Sequence, residues 1–227
     1  MAYGPGLGPR PFRDPTAPRG RPVTGHTFMR RLGDVDAQAY AAVARTPTPG
    51  AVDVVLRTLS RAANHSKISF TLAALLATRP GAARAAAVAG VSAVGVASAT
   101  ANLLGKRLAR RPRPPRAEPG LFPRRYVVMP LSASFPSGHT ASAVAFAVAV
   151  GRILPVAAAP LGVLSAVVGY SRVHTGVHYP GDVAGGALLG AASAALVLKL
   201  GRSSWGAQAG ARAHSAMTKA DSGVHTP

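Results

Sequence analysis

Residues Ala85–Leu104 form a run of 20 residues without a charged side chain, and no other feature narrows the possible folds of this chain as much. About 20 apolar residues in a helix are needed to cross the roughly 30 Å hydrocarbon core of a bilayer. Inside lipid only helices and closed barrels can satisfy their own backbone hydrogen bonds. Long stretches of strand-like alternation are missing, which leaves helices. Four more apolar stretches follow the same pattern: Ile68–Thr78, which is short for a span, Thr140–Leu154, apolar apart from Arg152, Pro155–Ser171, and Val183–Leu198. Hydrophobic residues make up 48% of the chain but aromatics only 5%, so the apolar content is mostly Ala, Val and Leu. Small residues let helices approach closely in a membrane, and Gly186-x-x-x-Gly190 is a step of that kind. The expected fold is all-α, an integral-membrane helical bundle with five or six spans, the sixth lying near Ala51–Asn64.

The flanks differ from this core. Residues 1–34 are Pro-, Gly- and Arg-rich and read as a disordered basic leader; residues 201–227 are small and polar and read as a disordered tail. Between them, 35–200 is expected to be the membrane domain, with its recognisable core at 51–198. Two weakly amphipathic segments open it, Asp34–Arg45 and Ala51–Asn64, separated by Thr-Pro-Thr-Pro-Gly. In the second, Val52, Val55, Leu56 and Leu59 share a helical face opposite Arg57 and Arg61, a pattern that suits either an interfacial helix or one packed on a core. Residues 1–30 hold no apolar core of signal-peptide length, so insertion is expected from internal helices. There are no cysteines, which removes disulfide and Cys-based metal or redox chemistry. The net charge is +19 with seven acidic residues, a balance that fits a polyanionic partner: nucleic acid, an anionic membrane face or a phosphorylated substrate.

Three polar clusters sit at the edges of the apolar helices. The first is the basic, Pro-rich stretch from Lys106 through Arg113 and Pro114. The second is Pro136-Ser137-Gly138-His139, and the third runs from Ser171 and Arg172 through His178 to Asp182. No span separates the first from the second, and two separate the second from the third, so all three fall on one side of the membrane. A phosphate monoester is dianionic and needs fixed cations, which Lys106, Arg113 and Arg172 supply. Ser137 and Gly138 begin a helix, where unpaired N–H groups and the dipole favour an anion. His139 and His178 can divide nucleophile and acid roles, and Asp182 can hold an imidazole in one tautomer. Each cluster alone also has a plainer reading. The basic loop suits a membrane-flanking charge cluster, Ser-Gly-His suits a helix cap, and His178 with Asp182 suits a structural pair.

Together the clusters spell Lys-x6-Arg-Pro, Pro-Ser-Gly-His and Ser-Arg-x5-His-x3-Asp without a gap. This resembles the type-2 phosphatidic acid phosphatase superfamily, which also includes vanadium haloperoxidases. The resemblance implies that Lys106, Arg113 and Arg172 clamp the phosphate oxygens with Ser137 and the Gly138 amide. It implies that His178 attacks phosphorus to give a phosphohistidine, that Asp182 orients it, and that His139 protonates the leaving alkoxide and then activates water. No metal or other cofactor is implied, because the three cations neutralise the charge. His174 is read as a loop histidine, and Arg107, Arg110 and Arg111 as flanking charges that touch lipid head groups. The segment Leu59–Ser69 is also similar to the N-terminal part of bacterial members that can be fused to a lipid kinase, a domain not expected within 227 residues.

The implied activity is a metal-independent membrane phosphatase acting on a lipid phosphate, either phosphatidic acid-like or a polyprenyl phosphate or diphosphate. The alternatives are a vanadium-dependent haloperoxidase, or a non-catalytic basic membrane protein binding polyanions through its leader. The expected partner is a membrane lipid-phosphate substrate, with no specific nucleic acid and no assigned oligomeric state. Location in the cell membrane with the site on the extracytoplasmic side follows from the resemblance, although the Lys and Arg on the motif side favour the cytoplasm by charge.

Overall fold

Alanine and glycine decide how closely the helices of this chain pack. In the computed structural model, residues 24–116 and 124–221 are described; side chains are described within these ranges except at 24–29, Leu104, Lys106 and 202–221. Residues up to Asp34 form a unit separate from Val35–Pro227, and the packing below concerns the second unit. Helix α1 covers Thr24–Arg45 and α2 Gly50–Ala62. A 3-10 turn at Asn64–Ser66 leads into α3, Lys67–Ala77, and then α4, Ala82–Thr100. A π turn at Ala101–Gly105 joins α4 to the short α5, Lys106–Ala109. After an irregular stretch come α6, Gly138–Ile153, α7, Ala158–His174, and α8, Pro180–Asp221. The described residues are all-helical or irregular, as the apolar periodicity predicts.

Among the described residues, three helical stretches are long and apolar enough to cross a membrane: Ala82–Ala109, Pro155–His174 and Pro180–Gly201. The sequence suggests five. The difference lies in length: α3 has 11 residues and α6 has 16, about 16 and 24 Å at 1.5 Å per residue. Pro155 ends the run that begins at Thr140, and α7 starts anew behind it. The ends differ too. The segment 24–34, expected within a disordered leader, is helical, and so is the backbone of the expected tail as far as Asp221. Neither stretch contains proline, and the second is rich in alanine, the strongest helix former. Residues 1–23 and 222–227 of the expected leader and tail lie outside the described residues.

Small residues dominate the inward faces, and many large apolar ones point outward. Ala93, Ala97, Ala141, Ala145, Ala149 and Ala194 form one buried cluster between α4, α6 and α8. Phe146 and Val150 fill a second, against Ala86, Ala87 and Val94. A Cβ added to Gly186 would lie 2.5 Å from the Ser137 carbonyl oxygen, and one added to Gly190 would run into that of Ala141, so the Gly-x-x-x-Gly step does seat α8 on the backbone of α6. Val88, Val91, Val148, Val163, Val167, Leu188 and Leu196 are exposed. Exposed apolar side chains on four helices, with three helices long enough to cross, suit lipid as the surrounding solvent, and the molecule is a membrane protein.

Helix α2 departs from its sequence pattern. It buries Asp53, Leu56 and Ser60 while Val52 and Val55 stay exposed. Its inner face is polar because partners claim it. Asp53 Oδ1 accepts from Thr48 Oγ1 at 2.6 Å and from fully buried Arg125 Nε at 3.3 Å, and it lies 2.8 Å from His174 Nε2. Arg125 also donates to the carbonyl oxygens of Ala44 and Thr46. This buried knot ties α1 and α2 to the end of α7. It also corrects the reading of His174, which is the last residue of α7 and buried, not a loop histidine. Buried charges persist only when paired and hydrogen-bonded in this way.

Candidate active site

The end of α4, the starts of α6 and α8 and the end of α7 meet at one end of the bundle. There Gly138, His139, Arg172 and His178 line a cavity of about 320 Å³, together with Asn64, Ser98, Asn102 and Ser142. Gly138 begins α6, and a Cβ added to it would meet nothing within 4 Å, so the helix start opens onto the cavity without a side chain. Ser137 is buried as the N-cap. Its Oγ accepts weakly from Thr140 N at 3.5 Å and lies 3.0 Å from Thr140 Oγ1, while its own amide donates to the Asp182 carbonyl at 2.9 Å. Of the two roles the sequence leaves open for Ser137, the geometry displays the cap.

His178 sits in the loop between α7 and α8 and is almost fully buried. Its Nε2 lies 3.4 Å from Arg113 NH1, and its Nδ1 lies 3.5 Å from Asp182 Oδ2, which is longer than a formed hydrogen bond. Burial pushes its pKa down to about 4. Asp182 pulls it back up, while the charges of Arg172 and Arg113 push the same way as burial. At neutral pH the imidazole is therefore uncharged and keeps a lone pair, which a nucleophile requires.

Asp182 is fully buried and held from four sides. Oδ2 accepts from Ser134 Oγ and from the Tyr179 amide at 2.8 Å, and it faces His178; Oδ1 accepts from Arg111 NH1 at 2.9 Å. The same Arg111 nitrogen lies 2.7 Å from Asp36 Oδ2, and the guanidinium stacks 4.1 Å over the Tyr179 ring. Arg111 is thus a structural partner of the site carboxylate and not the flanking, lipid-facing charge that its neighbours in the sequence suggest. The carboxylates of Asp36 and Asp182 hold its pKa above the ordinary arginine value despite its partial burial.

The cations are fixed as firmly. Arg113 donates through Nε to the Ser132 carbonyl at 3.0 Å, through NH1 to the Val177 carbonyl at 2.6 Å, and through NH2 to Ser132 Oγ and the Ala133 carbonyl, both at 3.3 Å. Arg172 is buried; its NH1 donates to both the carbonyl and the hydroxyl oxygen of Ser60, and its Nε has no hydrogen-bond partner among the described residues. Lys106 is the first residue of α5, and its side chain lies outside the described residues.

Two more residues enter without any signal in the three motifs. Ser60 reaches Arg172 from α2, and Asn64 Oδ1 lies 2.8 Å from His139 Nε2. Asn64 is held there by a kink in which His65 and Ser66 both have φ of 55°, a left-handed conformation that costs a non-glycine residue about 1 kcal/mol or more. The only pointer to either residue is that both fall in the segment Leu59–Ser69. The arrangement offers two guanidiniums, a helix start, a neutral buried imidazole backed by a carboxylate, and a second imidazole across the cavity. It can bind a phosphate, attack it and protonate what leaves.

A family model described as the PAP2 superfamily matches residues 85–205, more than half of the chain. The chain is 43% identical over 118 residues to decaprenylphosphoryl-5-phosphoribose phosphatase of Mycobacterium tuberculosis, a match covering 50% of this chain and 60% of that protein. Among solved structures it is similar to a transmembrane PAP2-type phosphatidylglycerolphosphate phosphatase from Bacillus subtilis. The TM-score there is 0.62 at 23% identity, over 79% of this chain and 90% of that one, a likeness of fold. It is also similar to LpxE of Aquifex aeolicus, with a TM-score of 0.57 and 25% identity over 71% of this chain and 93% of that one.

Proposed function

This chain belongs to the PAP2 superfamily, and from that premise we propose that it is a membrane phosphatase that hydrolyses a lipid-borne phosphate through a phosphohistidine. The observation that carries the proposal is the buried, uncharged His178, with Arg113 and Asp182 on its two ring nitrogens and Arg172, Gly138 and His139 on the same cavity. Arg113 and Arg172, joined by Lys106, take the phosphate oxygens, and the amides at the start of α6 add donors. Nε2 of His178 forms the bond to phosphorus as the bond to the leaving oxygen breaks. Nδ1 keeps its proton, and Asp182 beside it stabilises the cation formed. His139 delivers a proton to the departing alkoxide, and then takes one from the water that cleaves the P–N bond. With Asn64 Oδ1 as acceptor, Nε2 of His139 keeps its proton and Nδ1 is the nitrogen that exchanges.

The substrate class is a phosphate carried on a lipid. The relative named for decaprenylphosphoryl-5-phosphoribose favours a polyprenyl-linked sugar phosphate among the choices, with phosphatidic acid-like and polyprenyl diphosphate lipids as competitors. The three crossing helices anchor a membrane domain at 35–200, in which α3 and α6 pack against them as shorter apolar helices. The site faces the extracytoplasmic side of the cell membrane.

Purified protein in detergent, given this panel of lipids, is expected to release phosphate in the presence of a chelator and to be inhibited by vanadate. His178→Ala turnover at the wild-type rate would sink the mechanism.

A further inference from the structure

A second cavity, of about 910 Å³, opens between α4, α6 and α8 at the end of the bundle away from His178. Two arginines line it, Arg84 from the start of α4 and Arg152 from the end of α6, with Val88, Ile153, Val197 and Leu200 on its walls. The separation from the first cavity follows from helix length. Arg84 precedes Ser98 by 14 residues on α4, and Arg152 follows His139 by 13 on α6, each about 20 Å at 1.5 Å per residue. Nothing in the phosphatase chemistry uses either arginine.

Among the described residues neither guanidinium has an internal counter-charge. Arg84 donates through Nε to the Ala77 carbonyl at 3.3 Å, and among the described residues neither Arg84 nor Arg152 makes an ion pair. The carboxylates of Asp36, Asp53 and Asp182 are paired with other groups. Both side chains are exposed on the one cavity, where an anion with several oxygens can pair with them. The walls say which kind. Val88 and Leu200 are more than half exposed, so the occupant must be apolar beside its charge. Basic cavities between membrane helices take anionic lipid head groups on these grounds.

We propose that this cavity is a binding site for an anionic phospholipid that is not the substrate. Its head-group phosphate lies between Arg84 and Arg152, and an acyl chain follows Val88 and Val197 along the groove between α4 and α8. A phosphodiester lipid satisfies the site, and such a lipid offers no phosphate monoester to His178.

The test is thermal unfolding of the purified full chain in neutral detergent, with added dioleoylphosphatidylglycerol, dioleoylphosphatidylcholine or inorganic phosphate. Phosphatidylglycerol is expected to raise the midpoint by about 2–4 °C, with no rise from the other two. The double variant R84Q/R152Q should lose the rise, R84K/R152K should keep part of it, and H178A should keep all of it, which separates this site from the catalytic one. An equal rise with phosphatidylcholine, or with inorganic phosphate, overturns the proposal using wild-type protein alone. So does an undiminished rise in R84Q/R152Q. Because the readout is binding, failure of the phosphatase reading leaves it untouched.

Discussion

At the residue scale, what decides the chemistry is which charges surround each histidine. His178 has an ordinary imidazole made unusual by burial and two arginines. Followed by NMR in the substrate-free protein, it should titrate near 4, and Asp182→Asn should lower that value further, because Asp182 is the influence that raises it. The sign for stability follows. A folded-state pKa below the ordinary 6.5 means that the unfolded chain binds the proton more readily. Stability from this group is complete above about 6.5 and falls as the pH drops towards 4, which acid unfolding of wild type against His178→Gln would reveal. His139 depends on Asn64. Asn64→Ala is expected to cut kcat by about tenfold or more on an alkyl phosphate, whose leaving group needs a proton, and far less on p-nitrophenyl phosphate, whose leaving group does not. Equal losses on both would assign Asn64 a merely structural role. The motif spacing in the sequence pointed to His139, His178, Arg113, Arg172 and Asp182, which converge. It pointed past Asn64, Ser60 and Arg111, because a hydrogen bond across 75, 112 or 71 residues of chain leaves no local pattern.

At the element scale, periodicity identifies helices well and their roles less well. The Ala85–Leu104 run and the Gly186-x-x-x-Gly190 step were legible because one residue type repeated along one element carries the whole signal. The inverted face of α2 was not, since Asp53 and Ser60 are buried only because His174, Arg125 and Arg172 meet them from other elements. The close seating of α8 on α6 gives a sharp expectation. Gly190→Val would push a branched side chain into the Ala141 carbonyl, costing roughly 1–3 kcal/mol by overpacking and lowering the thermal midpoint. Leu188→Val, on the exposed side of the same helix, should leave that midpoint nearly unchanged.

At the scale of the whole molecule, the two ends of the bundle differ in kind: one gathers histidines and carboxylates, the other two solitary arginines. The absence of cysteine in the sequence makes orientation directly measurable by single-cysteine labelling. Leu131→Cys, at a fully exposed position in the loop at the motif end, should react with a membrane-impermeant maleimide on intact cells. Arg79→Cys, between α3 and α4, should react only after permeabilisation. The reverse result would place the chemistry in the cytoplasm. The backbone contact between α6 and α8 also bears on how a bulky lipid gains entry. Those helices carry His139 and Asp182 and meet backbone to backbone at Gly186 and Gly190, so that wall of the site has little room to adjust. The opposite wall is a strained kink at Asn64–Ser66 resting on a polar helix face. Adaptation to new head groups therefore falls to residues 59–69 and to Ser98, Asn102 and Ser142 on the same cavity, and exchanging that segment between relatives should shift lipid preference while the catalytic motifs stay as they are.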